Sequence, residues 1–177
     1  TLAVVVLLIL GSWIASVNAT KNSLPGEFLY PIKITTERVK VNLTLNDEKR
    51  TNMEIAFAER RLAEIKQIVE KDDNNSEPEN LNKPLKYFEE SLDKVQINLA
   101  KIEKKDKESA LYLANLINEK SKGYIDALLG NQTISDDTDK AILASKDMAD
   151  EALDLIIADA EENNGTEESV VIKDKIS

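Results

Sequence analysis

The feature that most constrains the fold is a set of apolar residues that recur every three or four positions between residues 85 and 102. The members of this set are Leu85, Phe88, Leu92, Val95, Leu99 and Ile102. This spacing places all six side chains on one face of an α-helix, where they can insert between the side chains of a neighbouring helix. The segment therefore predicts a long helix that packs against another helix.

Two further segments carry the same spacing, and both begin near an aspartate that can cap a helix. One starts at Asp47, and its apolar face comprises Ile55, Ala58, Leu62, Ile65 and Val69. The other covers residues 108–129 and follows a break that we place at Asp106. Its apolar face comprises Leu113, Leu116, Ile117, Tyr124 and Leu128. Both segments are predicted to be amphipathic helices.

A last helix is predicted to begin in the acidic segment 136–139, because the positive end of the helix macrodipole favours negative charge. Its inward face is predicted to comprise Ile142, Ala149, Ala152, Leu153, Ile156 and Ala160. The Asn-Asn-Gly sequence at 163–165 is expected to end the helix. Residues 164–177 would then form a C-terminal tail that docks on the bundle or adds a short strand.

Residues 31–45 fit two patterns. The alternation of a half-buried strand is present at Val39, Val41, Leu43 and Leu45. If the segment is helical, one face of the helix carries Ile32, Thr36, Val39 and Leu43. No second strand is evident that could satisfy the backbone groups of an isolated strand. We therefore favour a helix that begins at Pro31.

An apolar run, LAVVVLLILGSWI, occupies residues 2–14, and no charged residue occurs before Lys21. A segment that is apolar on every helical face is typical of a signal-peptide core or a membrane span. Trp13 suits the interfacial aromatic belt of a retained anchor, whereas small residues ending at Ala19 suit signal cleavage. We favour a retained anchor. With either outcome, the remainder of the chain is expected to lie outside the cytoplasm.

The residues that follow the leader predict a turn and a helix start. Pro25 presets φ at one central turn position, and Gly26 can adopt positive φ at the next. Residues 28–30 then lead into Pro31, which suits the first turn of a helix. These three apolar and aromatic residues are expected to anchor the first helix on the bundle.

A longer string of residues extends from this turn to position 69. It includes Pro25, Gly26, Glu27, Leu29, Tyr30, Pro31 and Lys33, then Glu37, Arg38 and Val39, and finally AERRLAE at 58–64. The string resembles the signature of a bacterial domain-of-unknown-function family, roughly P-G-D-x-L-Y-P-x-K, T-E-R-V and A-E-R-R-L-x-E, with Glu27 in place of the usual aspartate. The resemblance implies a helical protein that is exported or membrane-anchored. Some members occur in proteins that resemble anti-sigma factors, and the family has no assigned activity.

Charged residues of this string are expected to pair. Arg60 and Glu64 are spaced as an i,i+4 pair, worth a few tenths of a kcal/mol when exposed. Arg61 lies beside the apolar stripe and could reach Glu37 on the preceding helix. We interpret the set as a salt-bridged helix flank, with an arginine pair that contacts a ligand as the alternative. The residues expected to hold the structure or contact a partner are Pro25, Gly26, Leu29, Tyr30, Pro31, Lys33, Glu37, Arg60, Arg61 and Glu64.

The composition excludes several kinds of chemistry. The sequence contains no cysteine and no histidine. Disulfides, thiolate zinc sites and cysteine nucleophiles are therefore excluded, as are Ser-His-Asp triads and histidine general bases. No phosphate-binding loop, dinucleotide-binding motif or nucleophile elbow is present. We expect a protein that is not an enzyme and that binds no cofactor.

The formal net charge of −10 limits the partners. Binding to nucleic acid requires basic patches, so nucleic acid is not an expected partner. Oxygen ligands for calcium occur at Asp72, Asn74 and Ser76, as in the first positions of an EF-hand loop. Glu77 then replaces the required glycine and Lys83 the bidentate glutamate, so a calcium site is not expected there.

These patterns together predict an all-α protein, an antiparallel bundle of four or five helices over residues 31–163. A transmembrane or signal helix at 1–19 and a linker at 20–30 are expected to precede it. The expected function is that of a non-catalytic, extracytoplasmic, membrane-anchored interaction, scaffold or sensor module of a bacterial cell envelope. Its expected partners are the membrane and another protein or helix. The alternative function is an acidic periplasmic binding protein that responds to cations or stress.

Overall fold

The computed structural model describes residues 22–71, 78–130 and 136–176, and this described part contains α-helices and no strands. Five helices occur in it: α1 (Tyr30–Asn42), α2 (Asp47–Lys71), α3 (Pro78–Glu103), α4 (Lys107–Gly130) and α5 (Asp136–Ile176). The chain is therefore a helical bundle, as the sequence predicts.

Helices α2 to α5 share one apolar core, whereas α1 lies outside that core and packs against α2. Ion pairs define the direction of neighbouring helices. Lys94 in α3 contacts Glu54 in α2, and Lys105, just after α3, contacts Asp47 at the start of α2. Because later residues of α3 contact earlier residues of α2, the two helices run antiparallel.

The apolar stripe of α3 forms the centre of the bundle. Its members Leu85, Phe88, Leu92, Val95, Leu99 and Ile102 are all buried. Phe88 contacts Tyr124 of α4 edge to face, with ring centroids 5.6 Å apart, which is a favourable arrangement for two aromatic rings. The stripe prediction is confirmed.

The predicted faces of α2 and α4 are largely correct. In α2 the buried members are Ile55, Ala58, Leu62 and Ile65, while Val69 is half-buried. In α4 they are Leu113, Ile117, Tyr124 and Leu128, while Leu116 is half-buried.

The cap predicted at Asp106 is confirmed, since its carboxylate accepts hydrogen bonds from the backbone N–H of Ser109 at 3.1 Å and from the Ser109 hydroxyl at 2.8 Å. These hydrogen bonds hold the pKa of the Asp106 carboxyl below its usual value. The cap predicted at Asp47 is wrong by one residue. Asn46 supplies the oxygen, which accepts from the backbone N–H of Lys49 at 2.7 Å.

The segment 31–45 is helical up to Asn42, so the preference for a helix over a strand is confirmed. The helical face that the periodicity indicates does not pack against the bundle, however. Ile32, Thr36, Val39 and Leu43 are all exposed. The buried residues of α1 are instead Tyr30, Lys33, Ile34 and Val41. The reason is that α1 turns a partly charged face toward α2, where charged partners are available.

The inward face of α5 is also displaced from the prediction. The buried residues are Ala141, Ser145, Met148 and Ala152, together with Thr138. Ile142, Ala149 and Ile156 are half-buried, and Leu153 and Ala160 are exposed. Small side chains at 141, 145 and 152 allow the neighbouring helices to approach α5 closely, which favours this face over the bulkier one.

The stop predicted at 163–165 is wrong, because α5 continues through this sequence to Ile176. Asparagine and glycine reduce helix stability but can adopt helical dihedral angles. The region predicted to be a separate tail therefore continues the last helix over most of its length.

Several predictions fall outside the described residues. These are the leader at 1–19 and the segment 72–76, where no calcium site is expected. In the described part, no helix has both the length and the apolar character needed to span a bilayer.

Candidate functional site

The predicted turn forms at Pro25 and Gly26. The backbone N–H of Glu27 donates to the carbonyl of Leu24 at 3.0 Å, and Gly26 has φ of 92°. This geometry needs glycine, because a Cβ atom disfavours positive φ. The turn directs the chain into α1, which begins one residue before Pro31. Leu29 is half-buried and Pro31 is exposed.

Tyr30 is the first residue of α1, and its hydroxyl bonds to two residues of α2. It donates a hydrogen bond to Glu64 Oε2 at 3.0 Å and accepts one from Arg61 Nη1 at 3.1 Å. All three side chains are buried. Burial raises the pKa of the Tyr30 phenol well above its usual value. The charge of Arg61 lowers this pKa, and the charge and hydrogen bond of Glu64 raise it. The phenol therefore remains a neutral donor.

Lys33 lies one turn further along α1 and is also buried. Its ammonium donates to Glu64 Oε1 at 2.5 Å and to the backbone carbonyl of Ser23 at 3.0 Å. The Lys33 and Glu64 side chains are each 4% exposed. A buried ammonium needs both a counter-charge and hydrogen-bond acceptors, and this site supplies both.

Glu37, a further turn along α1, binds both arginines of α2. Arg61 Nη2 donates to the two carboxylate oxygens of Glu37 at 2.9 and 3.1 Å, and Arg60 donates to Glu37 Oε1. The predicted contact between Arg61 and Glu37 is confirmed. The predicted Arg60–Glu64 pair is wrong, because Arg60 turns to Glu37 and Glu64 is occupied by Tyr30, Lys33 and Arg61.

We call this set the α1–α2 ion network, and its members are Tyr30, Lys33, Glu37, Arg60, Arg61 and Glu64. The interpretation of a salt-bridged helix flank is confirmed as to the ion pairs of Arg61, but its side chain is 1% exposed and therefore lies in the interior and not on an exposed flank. Three cations and two anions meet here, and Arg60 at the edge carries the additional charge in a partly exposed position. The network attaches α1 to α2 mainly through charge-assisted hydrogen bonds, which are stronger than neutral ones. Removing one member of such a buried pair typically costs about 3–5 kcal/mol.

A second contact connects α1 to α3. Arg38 donates to Glu90 at 2.8 Å, and its guanidinium lies over the ring of Tyr87, 5.1 Å from the centroid. The Tyr87 ring is also 6.4 Å from that of Tyr30. Phe28, which was expected to anchor α1, is 88% exposed and does not do so.

Glu54 is a buried charged residue that the sequence analysis does not identify. Its carboxylate lies 3.4 Å from the ammonium of Lys94, and its Oε1 atom has no hydrogen-bond partner among the described residues. Burial raises the pKa of Glu54 above its usual value, although Lys94 and Ser91 act in the opposite direction. The sequence carries a signal for this burial, because Glu54, Ala58, Arg61, Ile65 and Ile68 follow three-four spacing. Charged residues within that series lie on the inward face.

No carboxylate of the α1–α2 ion network is left free to act as a nucleophile or as a general base. Its carboxylates accept from cations or from the Tyr30 hydroxyl, and Arg61 Nε is the one nitrogen of that guanidinium without a hydrogen-bond partner. Within the described ranges, no three acidic side chains are grouped so as to hold a metal ion. The geometry is suited to holding α1 in a fixed position on α2.

Comparisons with known proteins place the chain in a family. No curated protein and no solved structure matches it. A family model described as "Domain of unknown function (DUF5667)" matches residues 22–171, which confirms the resemblance to a domain-of-unknown-function family. That match begins just before the Pro25–Gly26 turn and includes all five helices up to the last turn and a half of α5. The chain belongs to the DUF5667 family of domains of unknown function.

Proposed function

We propose that this protein is a non-catalytic, membrane-anchored interaction module outside the cytoplasm, and that it binds a helix of another protein through the outer face of α1. The observation that carries the proposal is an apolar stripe exposed on that helix. The stripe, which we call the α1 stripe, comprises Phe28, Ile32, Val39 and Leu43.

Two members of the α1 stripe, Ile32 and Val39, lie on one side of α1. Leu43 follows the last residue of the helix, and Phe28 lies in the turn two residues before its start. The side chains of Phe28, Ile32, Val39 and Leu43 are 88%, 49%, 50% and 76% exposed. The separations of seven and four residues between Ile32, Val39 and Leu43 correspond to whole turns of an α-helix. From Ile32 to Leu43, the stripe extends over about 16 Å. Single exposed apolar residues are common on proteins, but an aligned group of them is typical of an interaction site.

The orientation of α1 supports the proposal. In most amphipathic helices the apolar face is buried and the charged face is solvated. In α1, Lys33 and Glu37 bind α2, whereas Ile32 and Val39 are exposed. The other apolar residues of the helix, Tyr30, Ile34 and Val41, are buried. The α1–α2 ion network thus fixes the helix while leaving its exposed apolar surface available. Burying that surface against a partner would contribute roughly 25 cal/mol per Å².

A protein helix fits this surface better than a lipid bilayer does. The chain carries a net charge of −10, which disfavours approach to an anionic membrane surface. A straight helix with its own apolar stripe can contact all four members at once, as in other helix-to-groove and helix-to-helix complexes. The apolar run at 2–14 supports tethering to a membrane and a location of the bundle outside the cytoplasm.

Site-specific photo-crosslinking in the native membrane tests this proposal. A photoreactive amino acid at Val39 of the full chain is expected to give one discrete protein adduct. The same residue at Lys146, an exposed position on α5, is expected to give none. The substitutions Ile32→Asp and Leu43→Asp are expected to abolish the adduct from Val39.

The matched control is Leu143→Asp, which changes a leucine of similar exposure on α5. It is expected to leave the adduct unchanged. All three aspartate variants should keep their free energy of unfolding within about 0.5 kcal/mol, because the residues are exposed. The proposal is wrong if Val39 crosslinks to lipid alone, or if Leu143→Asp weakens the adduct as much as Leu43→Asp does.

A further inference from the structure

A cleft open to solvent lies between the second half of α1 and α3. It consists of two adjoining cavities of about 300 and about 410 Å³ that share Val41, Asn42 and Lys94. These volumes reach the range of small-ligand sites in proteins. The cleft exists because α1 is attached along α2 by the ion network and to α3 mainly through Arg38, near the middle of α1.

The wall of the first cavity contains a buried amide whose hydrogen-bonding capacity is unused. Asn98 of α3 is 4% exposed and lines this cavity. Its Nδ2 atom has no hydrogen-bond partner among the described protein groups. Buried amide donors without a partner are rare, because they lose their bonds to water without replacement. The Nδ2 atom itself has almost no accessible surface, so the Asn98 side chain must rotate toward the cavity to reach an acceptor from outside the chain.

The side chains around the cleft are more basic than the protein as a whole. Lys94, Lys101, Arg38 and Arg50 line it, against Glu54 and Glu90. Lys101 is exposed, and its charge acts on Asp47, which itself pairs with Lys105 and Arg50. On a chain of net charge −10, this is a local site for a negative group.

We propose that this cleft binds a carboxylate group of a ligand. The Asn98 amide donates a hydrogen bond to a carboxylate oxygen, and the ammonium groups of Lys101 and Lys94 supply the opposing charge. The exposed Ile97 and the neighbouring Val41 line the same cavity and provide apolar contact for the hydrocarbon part of the ligand.

The cleft favours a carboxylate over a phosphate. The preference follows from the acids of the cleft and not from its arginines, because arginine binds carboxylate and phosphate alike. Here Arg38 is bound to Glu90, and Arg50 donates to the backbone carbonyl of Thr44 at 2.7 Å and to Asp47. Glu54 and Glu90 also face the cleft, and their repulsion of a doubly charged group exceeds that of a singly charged one. The carboxylate can belong to a small organic acid or to an acidic peptide.

A titration followed by NMR tests the proposal on the full chain in detergent micelles. The readout is the side-chain amide signal of Asn98 in protein labelled with ¹⁵N. Sodium succinate and a short aspartate-rich peptide are the two carboxylate probes, and sodium sulfate at equal ionic strength is the reference. At least one carboxylate probe is expected to shift the Asn98 signal to saturation, whereas sulfate is not. A response to succinate supports a small acid, and a response to the peptide supports an acidic segment.

Two variants identify the groups involved. Lys101→Gln removes an exposed charge and is expected to weaken carboxylate binding about tenfold. Lys146→Gln removes an exposed lysine on α5 and is expected to leave it unchanged. Lys101 is preferred to Lys94 because Lys94 also neutralises Glu54. The proposal is overturned if neither probe gives a saturable shift, if sulfate acts equally, or if the two lysine variants behave alike.

Discussion

The hydroxyl of Tyr30 donates a 3.0 Å hydrogen bond to Glu64 Oε2, although 34 residues separate the two in sequence. Tyr30 is the first residue of α1, and Glu64 lies in the second half of α2. Their contact fixes the start of α1, and Lys33 and Glu37 continue the attachment at the next two turns. Much of this attachment is polar. Ile32 and Val39 of α1 therefore remain exposed on its outer side, while Ile34 and Val41 are buried.

Replacing Tyr30 with phenylalanine tests the first of these contacts. Tyr30→Phe leaves the ring in place but removes the partner of Glu64 Oε2 and of Arg61 Nη1. An unsatisfied buried group costs about 1–3 kcal/mol, so the free energy of unfolding is expected to fall by that amount in urea denaturation. Tyr112→Phe, at a tyrosine that is 62% exposed, should have almost no effect. Equal effects of the two substitutions would contradict the buried network.

The charge of Glu64 is expected to matter more than its shape. Glu64→Gln keeps the volume but leaves Lys33 and Arg61 without this counter-charge, which is expected to cost about 3–5 kcal/mol. Glu70→Gln, at the exposed partner of Lys66, should cost at most about 1 kcal/mol.

The double variant Lys33→Met/Glu64→Gln provides a further check on the same charges. It removes the buried ammonium together with its counter-charge, so its loss of stability is expected to be smaller than the sum of the two single losses. Denaturation curves of the four proteins give this coupling directly. Strict additivity would show that Lys33 and Glu64 do not interact.

Two glycine substitutions, one in the turn before α1 and one inside α4, are expected to change the stability of the protein in opposite directions. Gly26→Ala places a Cβ at positive φ and 3.0 Å from Asn80 Oδ1, and it is expected to destabilise the fold by about 1–3 kcal/mol. Gly123→Ala lies in helix α4 with open space around the new Cβ, and it is expected to stabilise by about 0.5–1 kcal/mol. Thermal denaturation of both variants measures the difference. A stabilising Gly26→Ala would rule out the turn geometry.

The buried Glu54 predicts a dependence of stability on pH. Burial raises the pKa of Glu54 in the folded state. The contribution of this carboxyl to the free energy of unfolding is therefore complete at acid pH, below its pKa in the unfolded state. That contribution is lost as the pH rises through the pKa in the folded state. Lys94 lowers this pKa and Glu37 raises it, with burial as the largest effect. Glu54→Gln is therefore expected to be more stable than the parent at neutral pH.

The gain in stability from Glu54→Gln is expected to shrink as the pH falls below the usual pKa range of a glutamate, because the parent carboxyl is then also neutral. Urea denaturation at several pH values between acid and neutral measures it. A gain that is constant with pH would indicate a packing effect instead of a charge effect. A loss at neutral pH would show that the ion pair with Lys94 outweighs the cost of burial.

Several parts of the fold could be predicted because they depend on local order along the chain. The α3 stripe from Leu85 to Ile102, the break at Asp106 and the turn at Gly26 each follow from residues within a few positions of one another. Helical periodicity and capping chemistry act over that range. The contact of Arg61 with Glu37 was also accessible, since an arginine next to an apolar stripe commonly pairs with a nearby acid.

Other features could not be predicted in the same way. The periodicity of Ile32, Val39 and Leu43 indicates a helix with an apolar face, but periodicity does not state what that face contacts. Glu54 and Arg61 follow the spacing of a buried face, yet charged residues are normally assigned to the surface. Asn98 gives no local sign that its amide is buried without a partner.

Local patterns along the chain are enough to predict that this protein is helical, where most of its helices begin, and that it contains no cysteine or histidine chemistry. The side of α1 that faces the bundle and the burial of Lys33, Arg61 and Glu64 depend instead on contacts between distant parts of the chain. The physical reason is that a charge can leave water only when partners from another part of the chain surround it. Those partners, Tyr30 and Glu37 among them, are brought together by the packing of α1 on α2.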